Sequence, residues 1–178
     1  MEFYHGNPQD PSWLARISEF HGHLGPWLVV GALVGRDALQ RLKTPGHWKI
    51  NVVCWIPSDR QRTPFSCMLD GLQASCGATT GKRNLWVRNS AEVLADGWPV
   101  VHVMRLPEKD RPLEGITYAA KNSLHDWMKH VTDERIEEAS RQLARAEVAE
   151  LIAISPMGQR EFAWCGHDEG RLGEGETT

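Results

Sequence analysis

The sequence predicts an α+β fold: a single domain with a mixed β-sheet of about four strands and helices packed on it. Three observations predict it. Apolar residues fall at helical spacing near both ends of the chain, around 26–42 and 133–148. The middle carries alternating or continuous apolar runs at 47–56, 83–88 and 98–105. Loops rich in glycine, proline and polar residues separate these segments. A chain of 178 residues suits one such domain. It can bury roughly 70 % of its unfolded surface, so it needs neither disulfide nor metal merely to fold. The domain is read as residues 1–165, and the glycine- and glutamate-rich tail at 166–178 is expected to be disordered.

Residues 11–20 are expected to form a short helix with Trp13, Leu14 and Ile17 on one side. Pro26 suits the first turn of a second helix, where its missing N–H is no loss. Leu28, Val29, Ala32, Leu33, Leu39 and Leu42 keep helical spacing until Pro45-Gly46 intervenes. HWKINVVCWI, 47–56, reads as a strand with one or both faces covered. After the polar loop PSDRQRTP, Ser66 is a plausible N-cap for a helix over 67–76. The turn GATTGK leads to strands at 83–88 and 98–105. A helix is expected over 112 to about 130, and another over 133–148, where Ile136, Ala139, Leu143 and Ala146 line one face. ELIAISP returns to the sheet.

Composition narrows the function classes. The net charge of −3 and the lack of a basic patch argue against nucleic acid as a partner. The longest apolar run, Trp27 to Leu33, is far short of a membrane span. The N-terminus lacks the pattern of a signal peptide, so the protein reads as cytoplasmic. Cys54, Cys67, Cys76 and Cys165 are scattered and suit free thiols or metal ligands better than disulfides. Eight tryptophans imply either a well-filled core or an aromatic-lined pocket or interface.

Three clusters can carry chemistry. His21-Gly22-His23 precedes a helix start, and its rings, two residues apart, can face one cavity; alternatively one ring caps local backbone and the other is solvated. Cys67, Asp70 and Gln73 share one helix face. Cys67 opens that helix, where the dipole favours a thiolate. A thiolate with two imidazoles is an ordinary zinc ligand set with one position open, and Asp70 and Gln73 then suit supporting or substrate contacts. The plain alternative is a half-buried cysteine beside a polar face. Gly77-Ala78-Thr79-Thr80-Gly81-Lys82 resembles a phosphate loop in composition, but it is one residue short and sits in helix–turn–strand order. It therefore reads as a tight turn that projects Lys82 and Asn84. His102 and Cys54 read as core or sheet-face residues, and His125 and His130 as solvated.

FHGHLGPW followed by SCMLDGLQASCGATTGKRNL is similar to the FmdE family, a component of formylmethanofuran dehydrogenase. That family pairs F-H-G-H-x-C-P-G with C-x-x-D-x-x-Q-x-x-T-G-C-T-x-G-K-x-N-[LI]. Phe20, His21, Gly22, His23 and Pro26 match the first pattern. Cys67, Asp70, Gln73, Gly77, Thr79, Gly81, Lys82, Asn84 and Leu85 match the second. The similarity is strong over about 15–90 and looser as far as ELIAISP. It implies an α+β domain, usually a homodimer, with a metal, zinc above all, on His21, His23 and Cys67. It departs at Gly25 and Ala78, where the family has cysteines, and in Cys76, which stands where the family has threonine. Cys165-Gly-His167 cannot supply the four ligands of the family's C-terminal zinc ribbon.

The leading expectation is thus a metal-binding protein with an accessory or cofactor-handling role, in which Gln73, Thr79, Lys82 and Asn84 contact a small molecule or metal cofactor. One alternative is a zinc enzyme for hydrolysis or one-carbon transfer, with Asp70 or His23 as base and Lys82 as charge stabiliser. Another is a haem protein, since His and Cys are common axial ligands. The last is an interaction module without metal.

Overall fold

A computed structural model describes residues 6–94 and 98–165. The helices are α1 (Ser12–His21), α2 (Pro26–Arg41), α3 (Cys67–Cys76), α4 (Asn122–Met128), α5 (Ile136–Leu143), α6 (Val148–Leu151) and α7 (Gln159–Trp164). The strands are β1 (Ile50–Trp55), β2 (Leu85–Arg88), β3 (Val100–Arg105), β4 (Glu114–Ala120) and β5 (Ile152–Pro156). They form one mixed sheet in the order β2-β1-β3-β4-β5. Only β1 and β2 run parallel, with Val52 opposite Leu85, and α3 lies on the connection between them. The expected α+β architecture is present, with five strands rather than four. No helix of the described residues is long and apolar enough to cross a membrane.

Helices α1 to α3 cover one sheet face. Leu14, Ile17, Leu28, Ala32, Leu72, Val52, Cys54, Val101 and Val103 meet there in the main core. The opposite face has a smaller core of Val53, Trp55, Val100, Met104 and Cys165, against which Trp86, Phe162 and Trp164 pack. Every residue of β1 is buried, as a central strand covered on both faces requires.

One expected element is overturned. The helix over 112 to about 130 is instead β4 followed by α4. Ile116, Tyr118 and Ala120 alternate toward the main core, and the β-branched Ile116 and Thr117 with the aromatic Tyr118 favour the strand over a helix. The first strand starts at Ile50, not 47, because His47 takes a left-handed φ of 55° and Trp48 points outward at 67 % exposure. Arg83, at φ 57°, likewise delays β2 to Leu85. The tail at 166–178 lies outside the described residues.

His102 is a buried sheet-face residue, as expected, accepting a hydrogen bond from the Trp55 indole N–H at 3.1 Å. Burial pushes its pKa down to about 4, against a nearby Glu161 that acts weakly the other way. An unfolded chain therefore takes up this proton first as pH falls. Stability is complete above pH 6.5 and declines toward pH 4, by about 3 kcal/mol at roughly 1.4 kcal/mol per pH unit. Urea unfolding of wild type and His102→Gln across pH 7 to 4 should show a flatter decline in the variant. His125 departs from expectation. Its ring stacks on Trp98 with centroids 3.5 Å apart, so it is not simply solvated.

Candidate metal centre

Three local structures bring the donors together. His21 is the last residue of α1, which Gly22 closes in the left-handed region at φ 92°, its N–H bonding to the Ser18 carbonyl. A side chain there would be strained, so glycine lets the chain turn back within one residue. The turn places His23 beside His21, with ring centroids 4.5 Å apart. Pro26 then opens α2, as its fixed φ predicts.

Cys67 opens α3, and two glycines decide how closely α3 meets α2. A Cβ on Gly71 would lie 2.1 Å from the Leu28 carbonyl oxygen, and one on Gly31 would lie 2.0 Å from that of Met68. No methyl group fits at either position, so the two helices touch backbone to backbone. That approach puts the first turn of α3 against the corner between α1 and α2, where the histidines sit.

One nitrogen of His21, one of His23 and the sulfur of Cys67 all lie within 4.8 Å of one another. Tetrahedral zinc with bonds of about 2.0–2.3 Å separates its ligands by roughly 3.3–3.8 Å, so rotamer adjustment is enough to close the set. The ring of His21 is already oriented. Its Nδ1 lies 2.6 Å from Asp70 Oδ2, and Asp70 Oδ1 accepts from the Gln73 amide at 3.1 Å. The remaining His21 nitrogen, Nε2, is buried and has no hydrogen-bond partner among the described residues. A buried ring nitrogen left bare is costly unless something fills the place of a partner. The donor set and this orphaned atom both fit a metal ion: the two imidazoles and one sulfur are a borderline-soft set of the kind zinc takes.

Electrostatics fit the same use. Burial and the neighbouring His21 ring both lower the pKa of His23, which keeps its nitrogen bare. Cys67 differs from the sequence expectation of a dipole-favoured thiolate. Burial pushes its thiol pKa up, with the Asp70 carboxylate adding to the rise. Ser66 also fails to cap α3 with its side chain, being helical itself at φ −64° and ψ −19°. The thiol thus keeps its proton until a cation displaces it.

A cavity of about 320 Å³ adjoins the donors, lined by His21, Cys67, Asp70, Gln73, Ser66 and Thr80 among others. The glycine turn is arranged differently from the other clusters. Thr79 Oγ1 accepts from the backbone and ammonium of Lys82, and the Lys82 ammonium lies 6.0 Å from the Trp48 ring centre. The Asn84 amide donates to the His47 and Ile50 carbonyls and accepts from the Thr79 N–H, so it is wholly engaged with backbone. Cys76 donates its thiol hydrogen to the Leu72 carbonyl and is not among the converging donors. Gly25 stands out in the sequence only as a departure from the family pattern. In the fold a Cβ there would sit 3.1 Å from His23 Nε2, so this glycine borders the donor set.

A family model described as FmdE, Molybdenum formylmethanofuran dehydrogenase operon, matches residues 20–157, which include the histidine pair, Cys67 and the sheet. No curated protein matches the chain.

Proposed function

The chain belongs to the FmdE family, and from that premise we propose that it is a zinc-binding protein with an accessory, cofactor-handling role, its ion held by His21, His23 and Cys67. The observation that carries this reading is the convergence of three donors on one point, with His21 Nε2 buried and unpartnered. Asp70 acts by holding the His21 ring through Nδ1, and Gln73 holds Asp70. Haem gains no support from the geometry, because the three donors converge on one point, as a single ion requires. The homodimer implied by the resemblance belongs to the same proposal. Sedimentation equilibrium near twice 20.1 kDa would support it, and a monomer would remove it.

The test is elemental analysis of protein purified without a histidine tag. One zinc per chain supports the reading, and protein that neither carries nor takes up a divalent ion defeats it. Asp70→Asn should weaken zinc about 10- to 100-fold while leaving the fold intact, as loss of an outer partner does elsewhere. A competition titration against a chromophoric chelator reads that change.

The adjoining cavity favours a second reading, a zinc-dependent enzyme. A bound zinc with an open position supplies Lewis acidity there. The chain's own part is to hold the two rings and the thiol and to keep the cavity beside them open. Absorption of the cobalt-substituted protein distinguishes the two. A change on adding small ligands indicates an open position, and an unresponsive spectrum indicates a closed, storage-type site.

A further inference from the structure

Left-handed backbone outside glycine is gathered in one part of the fold. Among the described residues it occurs at Lys43, His47 and Arg83, with φ of 47°, 55° and 57°. All three stand in two facing loops, 43–49 and 77–84. A residue with a side chain keeps this conformation only where its surroundings enforce it, and such residues cluster at functional sites.

The surroundings do enforce it. The Asn84 amide donates to the His47 carbonyl at 2.6 Å and so ties one loop to the other. A Cβ on Gly46 would lie 2.3 Å from the Cys76 carbonyl oxygen, and one on Gly77 would lie 2.5 Å from His47 Nδ1. The two loops therefore touch with no room for a methyl group between them.

These braced loops display Trp48. At 67 % its exposure exceeds that of Phe20 and Val87, the other large apolar side chains at the described surface. His47 before it is fixed by Asn84, and Ile50 after it begins β1, so the indole is held out in water. A rigid, exposed tryptophan is the kind of anchor on which binding surfaces are built. The Lys82 ammonium lies over the ring, 6.0 Å from its centre, at the outer limit of a cation–π contact, and Thr79 Oγ1 accepts from it at 3.4 Å. No carboxylate of the described residues pairs with Lys82 or with the exposed Arg83 beside it, whereas Lys49 pairs with Glu108 at 3.1 Å. An open aromatic face thus stands beside positive charge that nothing in the described chain neutralises.

We propose that Trp48, Lys82 and Arg83 form a binding platform, distinct from the metal donors, for a small planar heteroaromatic molecule carrying a phosphate, of the nucleoside monophosphate class. The ring stacks on the indole, and the phosphate meets the ammonium and the guanidinium, whose planar fork suits its oxygens. The turn GATTGK thereby gains a use that its helix–turn–strand order denies it as a phosphate loop. Its side chains meet the phosphate, because the Lys82 and Arg83 N–H groups are already bonded to Thr79 Oγ1 and the Thr80 carbonyl. Two such cations on a chain of net charge −3 suit a single phosphate, not the backbone of a polynucleotide. A platform already braced costs little to order on binding.

Adenosine 5′-monophosphate (AMP) is a suitable probe, with adenosine and inorganic phosphate as its controls. Titration of the full chain followed by two-dimensional NMR should give saturable shifts at the Trp48 indole and at the amides of 79–83. Adenosine should move the same indole but bind several-fold more weakly, and added salt should erase the difference. Inorganic phosphate should bind more weakly than AMP for want of the stack. Trp48→Ala, at an exposed position, should weaken AMP about tenfold, the scale of a lost base stack, while zinc uptake stays normal. Lys82→Gln should weaken AMP about threefold and leave adenosine unchanged, as loss of one exposed charge pair does. No saturable shift at Trp48, equal affinity for AMP and adenosine, or AMP binding unaffected by Trp48→Ala would each overturn the proposal. So would an oligoadenylate that binds tighter than AMP by far more than its number of bases, since that outcome assigns the platform to a nucleic-acid strand.

Discussion

Cys67→Ser should abolish stable zinc binding, lowering affinity by more than the 10- to 100-fold typical of an outer partner. The reason lies in the donor chemistry. Serine keeps the size of the side chain but replaces a polarisable thiolate with a hydroxyl that does not ionise at neutral pH. His21→Ala should have an effect of the same order, because it removes the one imidazole that Asp70 already holds in place. Neither change should unfold the protein. His21 is the last residue of α1, where truncating the ring leaves the helix intact, and Cys67→Ser is nearly isosteric. Isothermal titration with zinc, alongside thermal unfolding of the metal-free proteins, separates the two effects. Full metal content in both variants would show that the ion, if any, sits elsewhere.

Gly71→Ala should cost the fold more than any other single methyl group in α3. In an exposed helix the same change would gain about 1 kcal/mol. Here the new Cβ would meet the Leu28 carbonyl oxygen at 2.1 Å and the Ala32 nitrogen at 2.7 Å, both backbone atoms of α2. Backbone cannot rotate aside as a side chain would, so the helices must separate. Overpacking typically costs 1–3 kcal/mol. Offset by that gain, the upper end of this range leaves a net loss of about 2 kcal/mol, roughly 4–8 °C in melting temperature for a domain of this size. Zinc affinity should fall with it, because the separation moves Cys67 away from the histidines. A variant that melts normally and binds zinc normally would show that the two helices are not in backbone contact.

Most of the helical layer was readable from the sequence because its signals are local. The spacing of Leu28, Val29, Ala32 and Leu33, with Pro26 ahead of them, gives α2, and Cys67 to Cys76 gives α3 to the residue. The grouping of His21, His23 and Cys67 could also be anticipated, since each stands at or beside a helix terminus. What the sequence concealed was non-local. EGITYAA contains residues tolerable in a helix, and only the β3 and β5 neighbours make its alternation decisive. The raised thiol of Cys67 depends on burial by distant segments, so the helix-end argument alone pointed the wrong way. The engagement of Asn84 with His47 and Ile50, far upstream in the chain, has no sequence signal at all.

That last interaction bears on how the sheet finds its alignment. An antiparallel pair inherits its alignment from the hairpin that joins it, but β1 and β2 run parallel and no tight turn joins them. Asn84, one residue ahead of β2, donates to the carbonyl of Ile50, where β1 begins, and its own carbonyl accepts from the Val52 N–H. Sliding β2 by two residues would preserve which side chains face inward, yet it would strand a buried amide and two peptide groups. A single primary amide thus serves as the index mark that tells these two strands where to meet.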